Sequence, residues 1–349
     1  MHPYPAKFIP QIPQALIRHF SKAGDLVWDP MCGSGTTLVE AALADRPAIG
    51  GDLNPIAVLV ARAKTTMLRD AELAEVRALA ADLIAAAQKG TPTAAVPDFP
   101  NRDHWFEPHV SSELAEGLHR IEALDSENAL TVARCAFSAI VVPVSNQESE
   151  TRWSAKRTEA VPGRVLLRLA KRLQDSADQL EAAGPSFSCA VDVRLEDARK
   201  TSVPPESAQL VVTSPPYANS HDYYLYNKLR MFWLGYDVRE VQEAEIGSRN
   251  RHSDKGESVE SYLGAMADVI AEIQRKIVAG GHIAVVIGDA VIRKEFFDMG
   301  ALISDLAVGL GLTLDRQISF DHRRFNSTFQ RGFGTRLAKQ THVLVFQKP

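Results

Sequence analysis

Hydrophobic positions along the chain follow two spacings. Short apolar runs over Asp25 to Asp29, Ala48 to Leu53, Ser188 to Val193, Gln209 to Val212, His282 to Ile287, Leu312 to Phe320 and Thr341 to Phe346 predict strands, with those over Asp25 to Asp29 and Gln209 to Val212 expected to be buried. Apolar residues recur three and four apart over Leu38 to Ala44, Leu59 to Lys64, Asp70 to Lys89, Glu113 to Leu124, Ala129 to Val142, Arg164 to Leu180, Val259 to Val278 and Leu302 to Leu310, which predicts helices. Gly90 and the pair Gly280-Gly281 stand where two of these helices should stop. Strands alternate with helices towards both ends of the chain, whereas residues 67–186, alanine-rich at first and then a proline-containing linker, carry helical spacing alone. The expected architecture is an α/β domain built from 1–66 and 187–349, interrupted by an all-helical insertion over 67–186.

Two strand ends carry chemistry. The run Gln209 to Val212 leads into Thr213-Ser214-Pro215-Pro216-Tyr217, and proline, which donates no ladder hydrogen bond and fixes φ, must end the strand in a rigid extended loop. Ser214 Oγ, a backbone carbonyl and the flat face of Tyr217 then suit the exocyclic amine of a nucleobase. Taken alone, the same residues read as a proline-terminated strand with a core tyrosine. A second motif changes that balance: Asp25 to Asp29 runs into Pro30-Met31-Cys32-Gly33-Ser34-Gly35-Thr36-Thr37 and then a helix, half of a nucleotide-binding unit. Its glycines let a ligand approach the backbone, and the free amides at the helix start favour an anionic group. The next strand ends in Gly51-Asp52-Leu53-Asn54-Pro55, placing an acid about 20 residues past the glycines, where a ribose diol is held.

Together these motifs resemble the amino-methylating DNA methyltransferases that use S-adenosyl-L-methionine. The resemblance implies cofactor contacts at Asp29, Met31, Cys32, Gly33, Ser34, Gly35, Thr36 and Thr37, and at Asp52, Leu53 and Asn54, with Ser214, Pro215, Pro216 and Tyr217 as the catalytic residues. His2-Pro3-Tyr4-Pro5-Ala6-Lys7-Phe8 is similar to the segment that covers the methionine end of the cofactor, which adds Tyr4, Lys7 and Phe8. In Leu195-Glu196-Asp197-Ala198, relatives use an acid for the adenine amine, so Asp197 with Ala198 is the expected contact and Glu196 its rival. The fold implied is a Rossmann-like sheet of seven strands with a helical insertion. The activity implied is direct methyl displacement, without a metal, onto a base flipped out of double-stranded DNA. Serine before the proline pair is associated with cytosine N4, and adenine N6 is the alternative. An RNA amino-methyltransferase and an inert DNA-binding subunit are the other readings. Inert relatives lose one motif, and here both stand.

The net charge of −4 is silent about a nucleic-acid partner, so the distribution of charge matters more. Thr151 to Arg172 and Asp315 to Lys339 are rich in Arg and Lys, as either solvated faces or phosphate contacts. The polar stretch Val144 to Trp153 reads either as a surface loop capped by a core tryptophan or as a loop reaching base edges, and on the second reading Asn146, Arg152 and Trp153 are the expected DNA contacts. Of the aromatic run His221 to Trp233, Leu229, Phe232 and Trp233 are assigned to the core and Tyr223 to the DNA site. Arg249, in a polar loop over Glu243 to Glu257, and Arg323 and Arg324, in the last hairpin, complete the expected DNA contacts. Asp289 is left unassigned. Three cysteines, Cys32, Cys135 and Cys189, lack the spacing of a metal site or a disulfide, and none follows a proline as in the cytosine-C5 enzymes. With no secretory signal and no apolar stretch near the ~20 residues of a membrane span, a cytoplasmic protein is expected. Companion restriction or defence proteins, the recognition site and the oligomeric state stay open.

Overall fold

The short apolar runs pair as β1 (Val27–Asp29), β2 (Ala48–Asp52), β5 (Val191–Leu195), β6 (Ala208–Thr213), β7 (Ile277–Gly288), β10 (Thr313–Asp321) and β11 (Gln340–Gln347). In the computed structural model, which describes residues 1–5, 9–90, 93–156, 161–183, 187, 189–219, 221–248, 258–321 and 340–349, they form one seven-stranded sheet in the order β10-β11-β7-β6-β1-β2-β5. The strands from β7 to β5 are parallel, and β11 runs antiparallel to both β7 and β10. Parallel pairing brings the C-terminal ends of β1, β2, β5, β6 and β7 to one edge of the sheet, which is where open α/β sheets bind ligands.

Burial on both faces explains the apolar runs. Leu210 and Val212 of β6 pack with α1 (Gln11–Phe20), α2 (Thr36–Leu43) and α3 (Pro55–Thr65), through Ile17, Leu38 and Val58. Val211 between them faces α11 (Val259–Lys276) and α12 (Met299–Gly309), through Ile270 and Ile303. The strand β10 departs from this pattern: as an edge strand it is exposed from Thr313 to Ser319, with Ile318 53% exposed.

The insertion consists of α4 (Asp70–Lys89), α5 (Arg102–Trp105), α6 (Pro108–Ile121), α7 (Glu127–Val144) and α8 (Arg164–Ala183), around a core that includes Leu83, Leu114, Phe137 and Leu173. Leu229 and Trp233 of α9 (Tyr223–Trp233) close that core, so the helix that follows the Ser214-Pro215-Pro216-Tyr217 segment is shared with the insertion. Glu113, 4% exposed on α6, accepts amides of Gly163 at 2.6 Å and Val165 at 3.0 Å and thereby caps α8. The predicted stop after α4 is present, with Gly90 left-handed at φ 75°. The helix α7 is, by length and a mean hydropathy of 1.3, apolar enough to cross a membrane, contrary to the sequence expectation, but 61% of it is buried inside the structure. Contact with α4, α6 and α8 demands the same composition.

Three local expectations give way. The insertion is not all helical: β3 (Gln147–Ser149) and β4 (Arg152–Ala155) make a hairpin where a loop was expected. No apolar run announces it, because it is held by polar contacts, Lys156 N to Asn146 O at 2.6 Å and Glu148 to both Arg152 and Ser154. The helix expected to reach Val278 ends at Lys276, and Gly280-Gly281 lies inside β7. A Cβ at Gly281 would sit 2.7 Å from Ile277 and 3.1 Å from Gln209 O, so that glycine allows β7 to pass close to β6 and caps no helix. A second hairpin, β8 (Ala290–Ile292) and β9 (Glu295–Phe297), turns through Arg293 and Lys294 at φ 50° and 69°. The short helix α10 (Val238–Ala244) precedes the described end of the polar loop.

Candidate active site

The chain leaves β1 through Pro30 to Gly35 and enters α2. Gly35 is the N-cap at φ 77°, and a Cβ there would meet Ala61 Cβ at 3.0 Å, so the backbone and the contact with α3 both require glycine. The Cys32 amide donates to Gly51 O at 2.8 Å and ties this turn to β2. At the tip of β2, Asp52 accepts from the Gly33 and Asn54 amides, both at 2.8 Å, one on each carboxylate oxygen. Each oxygen retains a lone pair for a ligand. Burial pushes the Asp52 carboxyl up to about 6, with the two amides acting in the opposite sense. Asp29 lies deeper, 1% exposed, and burial raises it to about 7 against hydrogen bonds from Thr37, Thr213 and the Met31 amide.

These strand ends open on a cleft of about 870 Å³, counting its space open to solvent. Tyr4, Met31, Cys32, Gly33, Ser34 and Thr36 line it, as do Asp52, Leu53, Asn54, Asp197 and Ala198. Two polar atoms on this wall, Ser34 Oγ and Asn54 Nδ2, are buried without a hydrogen-bond partner, as a site built for a polar ligand would have them. Asp197 accepts from Arg199 Nε at 2.9 Å, and Arg199 also reaches Ala244 O at 3.1 Å. Burial raises the Asp197 carboxyl, but its bonds to Arg199 prevail and hold it below the usual range. The rival acid Glu196 is turned to the Ser202 amide and hydroxyl, at 3.0 and 2.7 Å.

Ser214 and Pro216 line the same cleft. Ser214 Oγ donates its hydrogen to Val286 O of β7 at 3.2 Å, so towards a ligand the hydroxyl offers lone pairs. The Pro216 carbonyl accepts from the Tyr262 hydroxyl at 3.0 Å, and the Asn219 amide donates to Gly247 O at 3.1 Å, fixing the loop from two sides. Tyr217 does not stand free as a flat face. Its ring packs over Gly288, where an added Cβ would come within 2.6 Å of it. Burial pushes its phenol up. Pro215 is buried, and Thr37 is buried with its hydroxyl 3.4 Å from Val212 O, so both support the walls from behind.

Tyr223, the first residue of α9, lines the cleft and stacks on Tyr4, with ring centroids 6.4 Å apart and planes 13° apart. Sequence reasoning missed Glu245, which also lines it together with Val241, Ala244 and Ile246. Glu245 is 6% exposed and accepts the Tyr223 and Tyr224 amides at 2.7 and 3.1 Å. Burial raises its carboxyl to about 7, with those amides acting the other way. The one signal was an acid set between apolar residues in Ala244-Glu245-Ile246.

The expected DNA contacts divide. Asn146 is 7% exposed and donates its side-chain amide to His104 O at 3.2 Å, so it turns inward instead of presenting an edge to a base. Its amide is needed to join the hairpin to α5. Arg152 is exposed and bonded to Glu148 at 2.8 Å. Trp153 is half-buried, 4.4 Å from the Trp105 ring, with Lys228 Nζ 5.4 Å over it. Lys7, Phe8, Arg249, Arg323 and Arg324 lie outside the described residues. Asp289, Asp298 and His342 bring ligating atoms within 4.8 Å of one another. Asp289 there accepts amides of Gln340 at 2.8 Å and Met299 at 3.2 Å and is bonded to His342 Nε2 at 2.9 Å, which clamps the end of β7 to β11 and α12.

Residues 2–62 match the model of a family described as DNA methylase. Over 275 residues the chain is 28% identical to the type II methyltransferase M.MvaI of Kocuria varians, covering 70% of this chain and 59% of that protein. Over 64 residues it is 41% identical to the type II methyltransferase M.MjaII of Methanocaldococcus jannaschii, covering 18% and 12%. The chain thus spans 59% or less of either curated relative. Among solved structures, TrmN from Thermus thermophilus is similar at 13% identity and a TM-score of 0.41, over 99% of this chain and 50% of that one.

Proposed function

We propose that the chain, whose residues 2–62 match a DNA methylase model and which is similar to two type II methyltransferases, transfers a methyl group from S-adenosylmethionine to the exocyclic N4 of cytosine in double-stranded DNA. The observation that carries the reading is Ser214. Its hydrogen is committed to Val286 O, so its lone pairs are left to accept a proton-bearing amine across a cleft that also holds Asp52.

The cofactor, when bound, supplies an electrophilic methyl on a sulfonium sulfur, and the S–CH₃ electron pair stays with sulfur. Asp52 holds the ribose diol through the lone pairs its two amides leave, and Asp197 with Ala198 meets the adenine. Ser34 Oγ and Asn54 Nδ2 satisfy their own hydrogen bonds on the ligand's polar groups. Ser214 accepts an amine N–H, which draws the nitrogen lone pair out of conjugation with the ring and aims it at the methyl. As the N–CH₃ bond forms, the nitrogen becomes positive, and the Ser214 oxygen stabilises that charge before the proton leaves to water. Rigid φ at Pro215 and Pro216, the Tyr262 bond and the seat of Tyr217 on Gly288 keep Ser214 in place. Arg152 and Trp153 on the β3–β4 hairpin, with Tyr223, contact the DNA.

Expression in a host without DNA methylation, digestion of its DNA to nucleosides and mass spectrometry test this. N4-methylcytosine is the expected product. N6-methyladenine alone would overturn the choice of base, since a serine hydroxyl accepts from either amine. Methylated RNA with unmodified DNA would overturn the choice of substrate.

A further inference from the structure

The helix α8 carries its charges in the reverse of the order that favours a helix. Arg164, Arg168, Lys171 and Arg172 occupy its first half and Asp175, Asp178 and Glu181 its second, whereas the helix dipole favours acids at the start and bases at the end. Packing accounts for the last two acids, which hold Arg77 of α4 at 3.0 and 2.7 Å. It does not account for the bases. Arg164 is exposed, and its guanidinium makes no hydrogen bond or ion pair among the described residues. Arg168 uses one nitrogen on Pro143 O at 3.1 Å and keeps its other donors, and Lys171, with 76% of its side chain exposed, pairs with Asp175 at 3.1 Å. Spaced four and three apart, Arg164, Arg168 and Lys171 form one exposed stripe about 10 Å long, the rise of about three base pairs of duplex. Glu113 already occupies the amides at the start of α8, so an anion meets the stripe and not the helix end.

We propose that this face of α8 anchors the phosphates of double-stranded DNA next to the methylation site, without reading its sequence, a role that rests on the DNA reading above. The stripe leads towards the cleft. Pro143, to which Arg168 is bonded, lies at the end of α7, from which the chain passes directly into the β3–β4 hairpin. On that hairpin Trp153 carries Lys228 Nζ 5.4 Å over its ring, and Lys228 belongs to α9, whose first residue, Tyr223, lines the cleft. None of the three stripe residues lines the cleft itself, so they position the duplex and add affinity while the chemistry proceeds elsewhere. The reversed charge order, unfavourable to the helix, then has its reason in the polyanion it receives.

The double variant Arg164→Gln with Lys171→Gln, which leaves the Arg168 tether in place, tests the proposal through two quantities of opposite sign. Fluorescence anisotropy with a labelled DNA duplex of arbitrary sequence should show an affinity about tenfold lower at low salt. The slope of log affinity against log salt should shrink by about 1.8, or about 0.9 for each phosphate contact removed. The melting temperature should stay level or rise, because cations leave the unfavourable end of a helix dipole, and S-adenosylmethionine should bind as before. Lys22→Gln, at an exposed cation on the chain leading into β1, should change none of these. An unchanged DNA affinity and slope would overturn the proposal, as would an equal loss in Lys22→Gln. A lower melting temperature together with an unchanged salt slope would overturn it too, because the two cations would then serve the fold. A wild type that binds the cofactor and no duplex would contradict the DNA reading itself.

Discussion

The Gly33 amide donates to Asp52 Oδ2 at 2.8 Å, joining the glycine turn after β1 to the tip of β2 across the floor of the cleft. The bond holds one Asp52 oxygen while the carboxylate remains in the cleft wall, so the acid is oriented before any ligand arrives.

Asp52→Ala should therefore weaken S-adenosylmethionine binding by about 1.5 to 3 kcal/mol, the value of a charge-assisted hydrogen-bond pair. Calorimetry gives the number directly. An unchanged affinity would move the ribose contact elsewhere.

The same acid leaves a pH signature in stability. Its carboxyl is raised by burial from 3.8 to about 6, so the folded chain holds that proton more tightly than the unfolded chain does. This contribution is fully present below the unfolded value and is lost as pH rises through about 6. The melting temperature of Asp52→Asn, measured against wild type, should shift in favour of the variant between pH 4 and pH 7. A difference that stays constant with pH would contradict the raised carboxyl.

Gly288→Ala should lower turnover without weakening cofactor binding. The new Cβ would fall 2.6 Å from the Tyr217 ring, and Tyr217 follows directly on Ser214-Pro215-Pro216, so the ring and then the catalytic loop must move. A displacement of that kind costs about 10²-fold in rate. Steady-state kinetics beside a binding isotherm separate the two effects.

Arg230 is fully buried, and its guanidinium donates to Ser138 O at 2.9 Å, to Tyr226 O at 3.2 Å and to Glu150 in the hairpin turn. Arg230→Met strands Glu150 and leaves a buried carbonyl without its donor, so urea unfolding should show a loss of about 3 kcal/mol. Glu150→Gln, which can still accept, should cost less.

Most of this cleft wall was legible in the sequence because its residues follow strand ends and local chemistry: glycine where φ is positive, an acid at the tip of the second strand, proline where a strand must stop. Glu245, Gly288 and the β3–β4 hairpin were not legible for the opposite reason. Glu245 matters because α10 brings it to the start of α9, Gly288 because it lies under Tyr217 from another strand, and the hairpin because polar contacts replace an apolar stripe. The first two relations join positions far apart in the chain, the hairpin is held by local polar contacts, and no apolar periodicity records any of them. Asn146 is a case of the same kind, since a polar side chain in a polar stretch looks solvent-facing until the carbonyl of His104 is placed beside it.

Ser214 decides the account. Purified protein incubated with S-adenosylmethionine carrying a radiolabelled methyl group and with unmethylated plasmid should transfer label to the DNA. Ser214→Ala should transfer at least 10²-fold less, by loss of one preorganised partner, while binding the cofactor as tightly as wild type. Label that reaches DNA equally well in the variant, or a wild type that binds the cofactor yet labels no DNA, would contradict the claim that Ser214 holds a DNA amine for methylation.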